Sequence, residues 1–162
     1  MNKKITNKII EILIRPSSRI KSRQWWDNQF KKSKKLLLKY LSNKISVKLV
    51  NNSSITLLVT NNKEIQNLNK RFRNINKSTD VLSFHLNKKE QLKKKYLGDI
   101  VISTEFAKKQ AIKKKVPLET ELQMLLIHGY LHLLGYDHKS IKQAKVMFSL
   151  QNKILLMLLL SD

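Results

Sequence analysis

Cysteine is absent from this chain. That excludes disulfide bonds and thiolate metal ligands, and it fits a reducing compartment. Long apolar runs are also missing: nothing approaches the roughly 18 consecutive apolar residues that cross a membrane. The tail "ILLMLLL" (154–160) reads instead as the buried face of a last helix. Acidic residues number 11 against 33 lysines and arginines, a net charge of +22, which argues against an acidic surface and against a basic partner. The N-terminal stretch "MNKKITNKIIEILIRPSSR" has lysines and a short apolar patch but no small-residue cleavage site, so no secretory signal is expected. Its one acidic residue before Asp27 is Glu11, which leaves an organellar transit peptide as the alternative. The expectation is a cytoplasmic chain without membrane contact, and 162 residues with 41% hydrophobic content fit a single domain over 1–162.

What the chain has in quantity is lysine, 28 residues against 5 arginines, together with 16 isoleucines and 14 asparagines. A basic surface that binds a polyanion, most simply nucleic acid, is one reading. Compositional drift towards A+T-rich codons is the other, and charge alone does not choose between them. Periodicity separates the elements. "IIEILIR" (9–15) is a strand or a helix start, "SITLLVT" (54–60), "DVLSFHL" (80–86) and "LGDIVIS" (97–103) read as strands, and the charged "NKKEQLKKK" (87–95) reads as a loop. Helices are expected over 25–43, 61–73, 104–116, 117–134 and about 140–160, with Asn61 or Asn62 as a cap. Strands interleaved with helices suggest an α/β or α+β sheet packed by helices.

Three of the four histidines fall within "HGYLHLLGYDH" (128–138), and so do two of the three glycines, Gly129 and Gly135. His128 and His132, four apart, share one face of a helix about 6 Å apart along its axis. Gly135 can end the helix in a left-handed conformation and let His138 return to the same point. Three imidazoles with a fourth position open match catalytic zinc sites, so the spacing predicts one Zn²⁺ per chain on His128, His132 and His138. Zinc peptidases with this histidine spacing carry a glutamate after the first histidine as general base. Here that position is Gly129, which makes a metallopeptidase a remote alternative.

"HGYLHLLGYDH" resembles the signature of the YbeY family, the bacterial metal-dependent endoribonucleases and ribosomal RNA maturation factors. "LNKRFRNINKSTDVLSF" (68–84) and "LGDIVIS" (97–103) are similar to two further segments of that family, so the resemblance covers about 50–138. It implies an α+β fold: a small mixed, mostly parallel sheet packed by helices, with the histidine-rich metal site at the end of a cleft. It also implies single-strand-specific cleavage of RNA in maturing the 3′ end of small-subunit ribosomal RNA, contact with the small subunit, and a part in ribosome quality control. Arg73 matches the family's arginine and on that match is the catalytic cation, a guanidinium able to grip a phosphate with two hydrogen bonds. Without the match it would read as a solvated charge at a helix end, and Arg71 is its neighbouring competitor. The chain departs from the family at Ser78 and His85, where prolines are usual, and at Gln151, where a glutamate follows the late methionine (here Met147). The last change leaves a second function open: a ribosome assembly factor whose zinc is mainly structural.

Other residues carry bland expectations beside functional ones. Asp137 either orients an imidazole or serves a turn. Thr79 and Asp80 start a strand, Asp99 caps a turn or lines the cleft, and His85 is structural or exposed. Trp25 and Trp26 could stack on bases, but adjacent aromatics at a helix start more often form core and rim.

Overall fold

Among the described residues apolar segments build four strands. β1 (Ile10–Ile14) buries Ile10 and Ile12 and leaves Glu11 and Leu13 exposed. β2 (Ser54–Thr60) buries Ile55, Leu57 and Val59 on one face. β3 (Val81–His85) lies at the other edge of the sheet, and β4 (Tyr96–Ser103) is buried on both faces, at Leu97, Ile100, Val101 and Ile102. A continuous apolar run is what an interior strand requires, because both of its faces are covered. The sheet order is β1-β2-β4-β3; the first three strands run parallel and β3 pairs antiparallel with β4. These are the strands of a computed structural model that describes residues 9–161. The N-terminal residues 1–8, on which part of the leader reading rests, lie outside the described residues.

Among the described residues seven α-helices surround this sheet: α1 (Arg23–Tyr40), α2 (Lys44–Asn52), α3 (Asn62–Arg73), α4 (Lys88–Lys94), α5 (Thr104–Lys114), α6 (Leu118–Leu133) and α7 (Ile141–Leu159). The larger core joins Trp26 and Phe30 of α1, Leu57 of β2, Ile100 of β4, Leu126 of α6 and Ile154 of α7. On the opposite face a smaller cluster sets Ile65 of α3 against Leu82 and Val101. The result is the α+β arrangement expected, with a mixed, mostly parallel sheet. Trp26 is fully buried and Trp25 packs at its edge, the core-and-rim arrangement. Among the described residues no helix is long and apolar enough to cross a membrane.

Two elements differ from the sequence reading. The segment 87–95, read as a loop, contains α4, capped by Asn87, whose side chain accepts from Glu90 N. The buried side chain of α4 is Gln91, whose amide donates to Leu97 O (3.0 Å) and Leu133 O (2.8 Å). A helix that faces inward with a glutamine shows no apolar period, so hydrophobic patterning passes over it. α2 was also not expected. It is nine residues long, and its inward face mixes Ser46 with Leu49 and Val50.

Candidate metal centre

The α6 helix is apolar almost all round, and its last turns carry the two histidines of the sequence motif. It lies so close to β4 that a Cβ at Gly129 would stand 2.8 Å from Ile100 Cγ2. Gly129 therefore occupies the position of the peptidase glutamate for a packing reason: it lets the histidine-bearing helix sit directly on the sheet. Ile100 is branched at Cβ and fully buried, so it has little freedom to yield. Gly129→Ala should lower stability by about 1–3 kcal/mol, the usual cost of overpacking, read from the urea midpoint. An unchanged midpoint would show that Ile100 gives way without strain.

After Leu134 the chain turns at Gly135, whose φ of 91° belongs to the left-handed region. Gly135 N donates to His132 O and Tyr136 N to Leu131 O, which satisfies carbonyls at the helix end. The reversal returns His138 to the two α6 imidazoles. Ring centroids lie 4.7 Å apart for His128 and His132, 5.1 Å for His132 and His138, and 5.4 Å for His128 and His138. One nitrogen from each ring lies within 4.8 Å of the others, and His128 Nε2 stands 3.1 Å from His132 Nε2. Two ligand nitrogens on a tetrahedral zinc, each about 2.0–2.1 Å from the ion, are separated by about 3.3 Å. The donor set therefore fits a metal ion, and the three histidines could hold one.

Protonation favours the same use. Burial, followed by the neighbouring imidazoles, pushes the His132 pKa down to about 4. Burial also lowers that of His128, against an opposing hydrogen bond to Gln151. Near neutral pH both rings are neutral and keep a lone pair to donate. Gln151, on the inward stripe of α7 with Met147, Ile154 and Leu158, fixes which nitrogen that is. Its Oε1 lies 2.8 Å from His128 Nδ1 and can only accept, so Nδ1 carries the proton and Nε2 faces the cluster. Gln151 thus serves here as the partner of an imidazole; a neutral amide performs that orientation without adding negative charge.

The cluster forms one wall of a cleft of about 640 Å³ that is also lined by Arg73, Thr79, Asp80, His85 and Phe148. Arg73 is the last residue of α3. Asn74 follows in a left-handed cap (φ 58°), and Asn69 Nδ2 holds the loop beyond by donating to Lys77 O at 2.9 Å. This geometry carries the Arg73 guanidinium across to β3, where Nη2 donates to Ser83 O at 3.2 Å. Arg71 instead lies over the Phe72 ring at 5.2 Å and is not among the cleft-lining residues. Asp80 does line the cleft, but its carboxylate accepts from Thr79 Oγ1, Val81 N and Gln110 Nε2. Asp99, expected to cap a turn or line the cleft, does neither: on β4 it accepts from Tyr96 Oη at 2.6 Å. Asp137 accepts from His138 N and pairs with Lys139 at 3.2 Å, the turn role of its two alternatives. His85 is exposed at the cleft edge, with Nδ1 3.2 Å from Leu86 O, outside the histidine cluster. Sequence reasoning passed over Gln91, Asn69 and Phe148. The first two face inward as polar groups, and Phe148 belongs to an apolar helix in which nothing local marks it out.

Comparison with known proteins agrees with this geometry. The sequence model of the family Endoribonuclease YbeY matches residues 18–158. The Endoribonuclease YbeY of Sulfurihydrogenibium sp. is 44% identical over 122 residues, 74% of this chain and 80% of that protein. The Endoribonuclease YbeY of Pelagibacter ubique is 41% identical over 133 residues, 80% of this chain and 86% of that one. The solution structure of a Thermotoga maritima protein superposes with a TM-score of 0.58 at 27% identity, covering 92% of this chain and 88% of the other. With the family's match running from α1's approach to the end of α7, the chain belongs to the Endoribonuclease YbeY family.

Proposed function

We propose that this chain is a metal-dependent endoribonuclease that cuts single-stranded RNA during maturation of ribosomal RNA. The observation that carries the reading is the meeting of two independent features in one cleft: three convergent imidazoles from α6 and the turn after it, and a guanidinium from the end of α3. Family membership supplies the reaction class. In this reading His128, His132 and His138 hold one Zn²⁺ per chain and Arg73 is the catalytic cation. Neutral imidazole ligands leave the charge of a bound divalent ion undiminished. Such an ion supplies polarisation of a phosphoryl oxygen and lowers the pKa of a bound water towards 7.

The chain's own groups then divide the work. Gln151 keeps His128 in the tautomer that presents Nε2 to the cluster. Arg73 keeps one N–H on Ser83 O, which leaves donors of its planar fork for two phosphate oxygens. Negative charge that grows on those oxygens in the transition state meets a donor already in place. Exposed lysines contact the RNA backbone beyond the cleft, which is the role this reading gives to the basic balance. We place the activity in a single domain over 1–162, acting in the cytoplasm on the 3′ end of small-subunit ribosomal RNA and in ribosome quality control.

The test is cleavage of an unpaired RNA oligonucleotide by purified, zinc-loaded protein, with and without a chelator. Cleavage is expected, lost on chelation and regained with Zn²⁺. Intact RNA in every lane would instead support the ribosome assembly factor with a mainly structural metal.

A further inference from the structure

We propose that Phe148 is the stacking platform for an unpaired RNA base beside the scissile phosphate, and that it restricts the cleft to single-stranded substrate; this rests on the nuclease reading above. The residue stands out by position. The inward stripe of α7 is Met147, Gln151, Ile154 and Leu158, and Phe148 lies one residue off it, 39% exposed. Its ring is therefore not needed to fill the core. It lines the cleft, and among the described residues it is the one phenylalanine, tyrosine or tryptophan that does so. The exposed part of the ring is apolar surface that a second flat apolar group could cover.

Its orientation says what fits. The ring lies nearly parallel to His138 (centroids 5.6 Å apart, planes 19° apart) and to His128 (6.4 Å, 21°). The flat surface thus begins one ring away from the nitrogen cluster. In a nucleotide the base is separated from its phosphate by one sugar. A phosphate drawn to the three histidines and to Arg73 places its neighbouring base within reach of Phe148. An anion flanked by a flat apolar ring system is the chemistry of a nucleotide.

Pairing state then matters. In an A-form duplex each base is covered on both faces by its neighbours, and the deep major groove admits no side chain to those faces. An unpaired base can leave the stack and lie on an aromatic ring. Such contacts accept any base, because every base has a π-face. Phe148 therefore selects strandedness and not sequence.

The experiment uses the full-length zinc-loaded protein with an unpaired RNA oligonucleotide, the same strand paired to its complement, and a series with a single abasic nucleotide beside the cleaved linkage. Phe148→Ala and Phe148→Leu are expected to raise KM for the unpaired strand by about five- to a hundredfold, the usual effect of losing one base–aromatic stack. Zinc content and melting temperature should stay at the wild-type level. Phe148→Trp should retain the wild-type KM, and its fluorescence should be quenched by the intact strand, over the background of Trp25 and Trp26, but not by the abasic one. The abasic substrate should weaken the wild type as much as Phe148→Ala does, with no further loss when both changes are combined. A wild-type KM in Phe148→Leu would overturn the proposal. So would losses that add fully, or loss of zinc from Phe148→Ala in place of a KM effect. The nuclease reading fails separately: quenching of Phe148→Trp by RNA in a protein that cleaves nothing retains the stacking site and removes the nuclease.

Discussion

Arg73→Ala is expected to cut cleavage of single-stranded RNA by roughly 10²-fold or more while the protein keeps its fold and its zinc; the size is that of removing one transition-state donor. The guanidinium contacts Ser83 O at 3.2 Å in an exposed setting, so its loss should cost stability about as little as an ordinary surface hydrogen bond, about 1 kcal/mol or less. It lines the cleft but is not one of the metal-capable side chains, so metal content should not change. Arg73→Lys should fall between wild type and alanine, because an ammonium restores the charge but not the planar fork. Arg71→Ala should do much less, since Arg71 lies over Phe72 and does not line the cleft. Initial rates with zinc-loaded variants, beside metal analysis and thermal melts, check all three. An Arg73→Ala protein as fast as wild type would return that residue to a solvated helix-end charge and leave the catalytic cation unidentified.

The second large effect concerns the metal. His132→Ala should lose most bound zinc and, with it, the stabilisation that zinc gives. A ligand present at a thousand times its dissociation constant stabilises by about 4 kcal/mol, which for a domain of this size moves the melting temperature by about 10 °C. Wild-type protein should show that rise on adding Zn²⁺, and His132→Ala should show little. The reason is geometric: His132 and His128 come from one helix and His138 from beyond the Gly135 turn, so a bound ion would tie two segments together. The metal-free forms should also differ in their pH dependence. The folded-state pKa of His132 is depressed from 6.5 to about 4, so between these values the unfolded chain binds a proton that the folded chain refuses. Metal-free wild type should lose stability as pH falls through that window, and His132→Ala should lose less. Full zinc occupancy in His132→Ala, by elemental analysis, would sink the ligand assignment.

The histidine cluster was legible in the chain because its geometry is local. Two residues four apart on a helix and a third just past a glycine turn lie within eleven positions, so helical periodicity and one left-handed residue already bring them together. The strands were legible for a similar reason: β2 is rich in β-branched and apolar residues, and the alternating pattern of 97–103 marks β4. Tertiary structure decided what depends on residues distant in sequence. Gly129, where the peptidase base is missing, is also the point where α6 meets Ile100 of β4, 29 positions earlier. Gln151 stands 23 residues from His128, and only the packing of α7 on α6 makes it that ring's partner. Arg73 and Phe148, 75 positions apart, line the same cleft, and Gln91 of α4 meets two carbonyls, on β4 and on α6. Hydrophobic periodicity reports which face of an element is buried. Which polar side chain meets which group across a core is set by the order of strands and the packing of helices on them, and no single stretch of this sequence contains that.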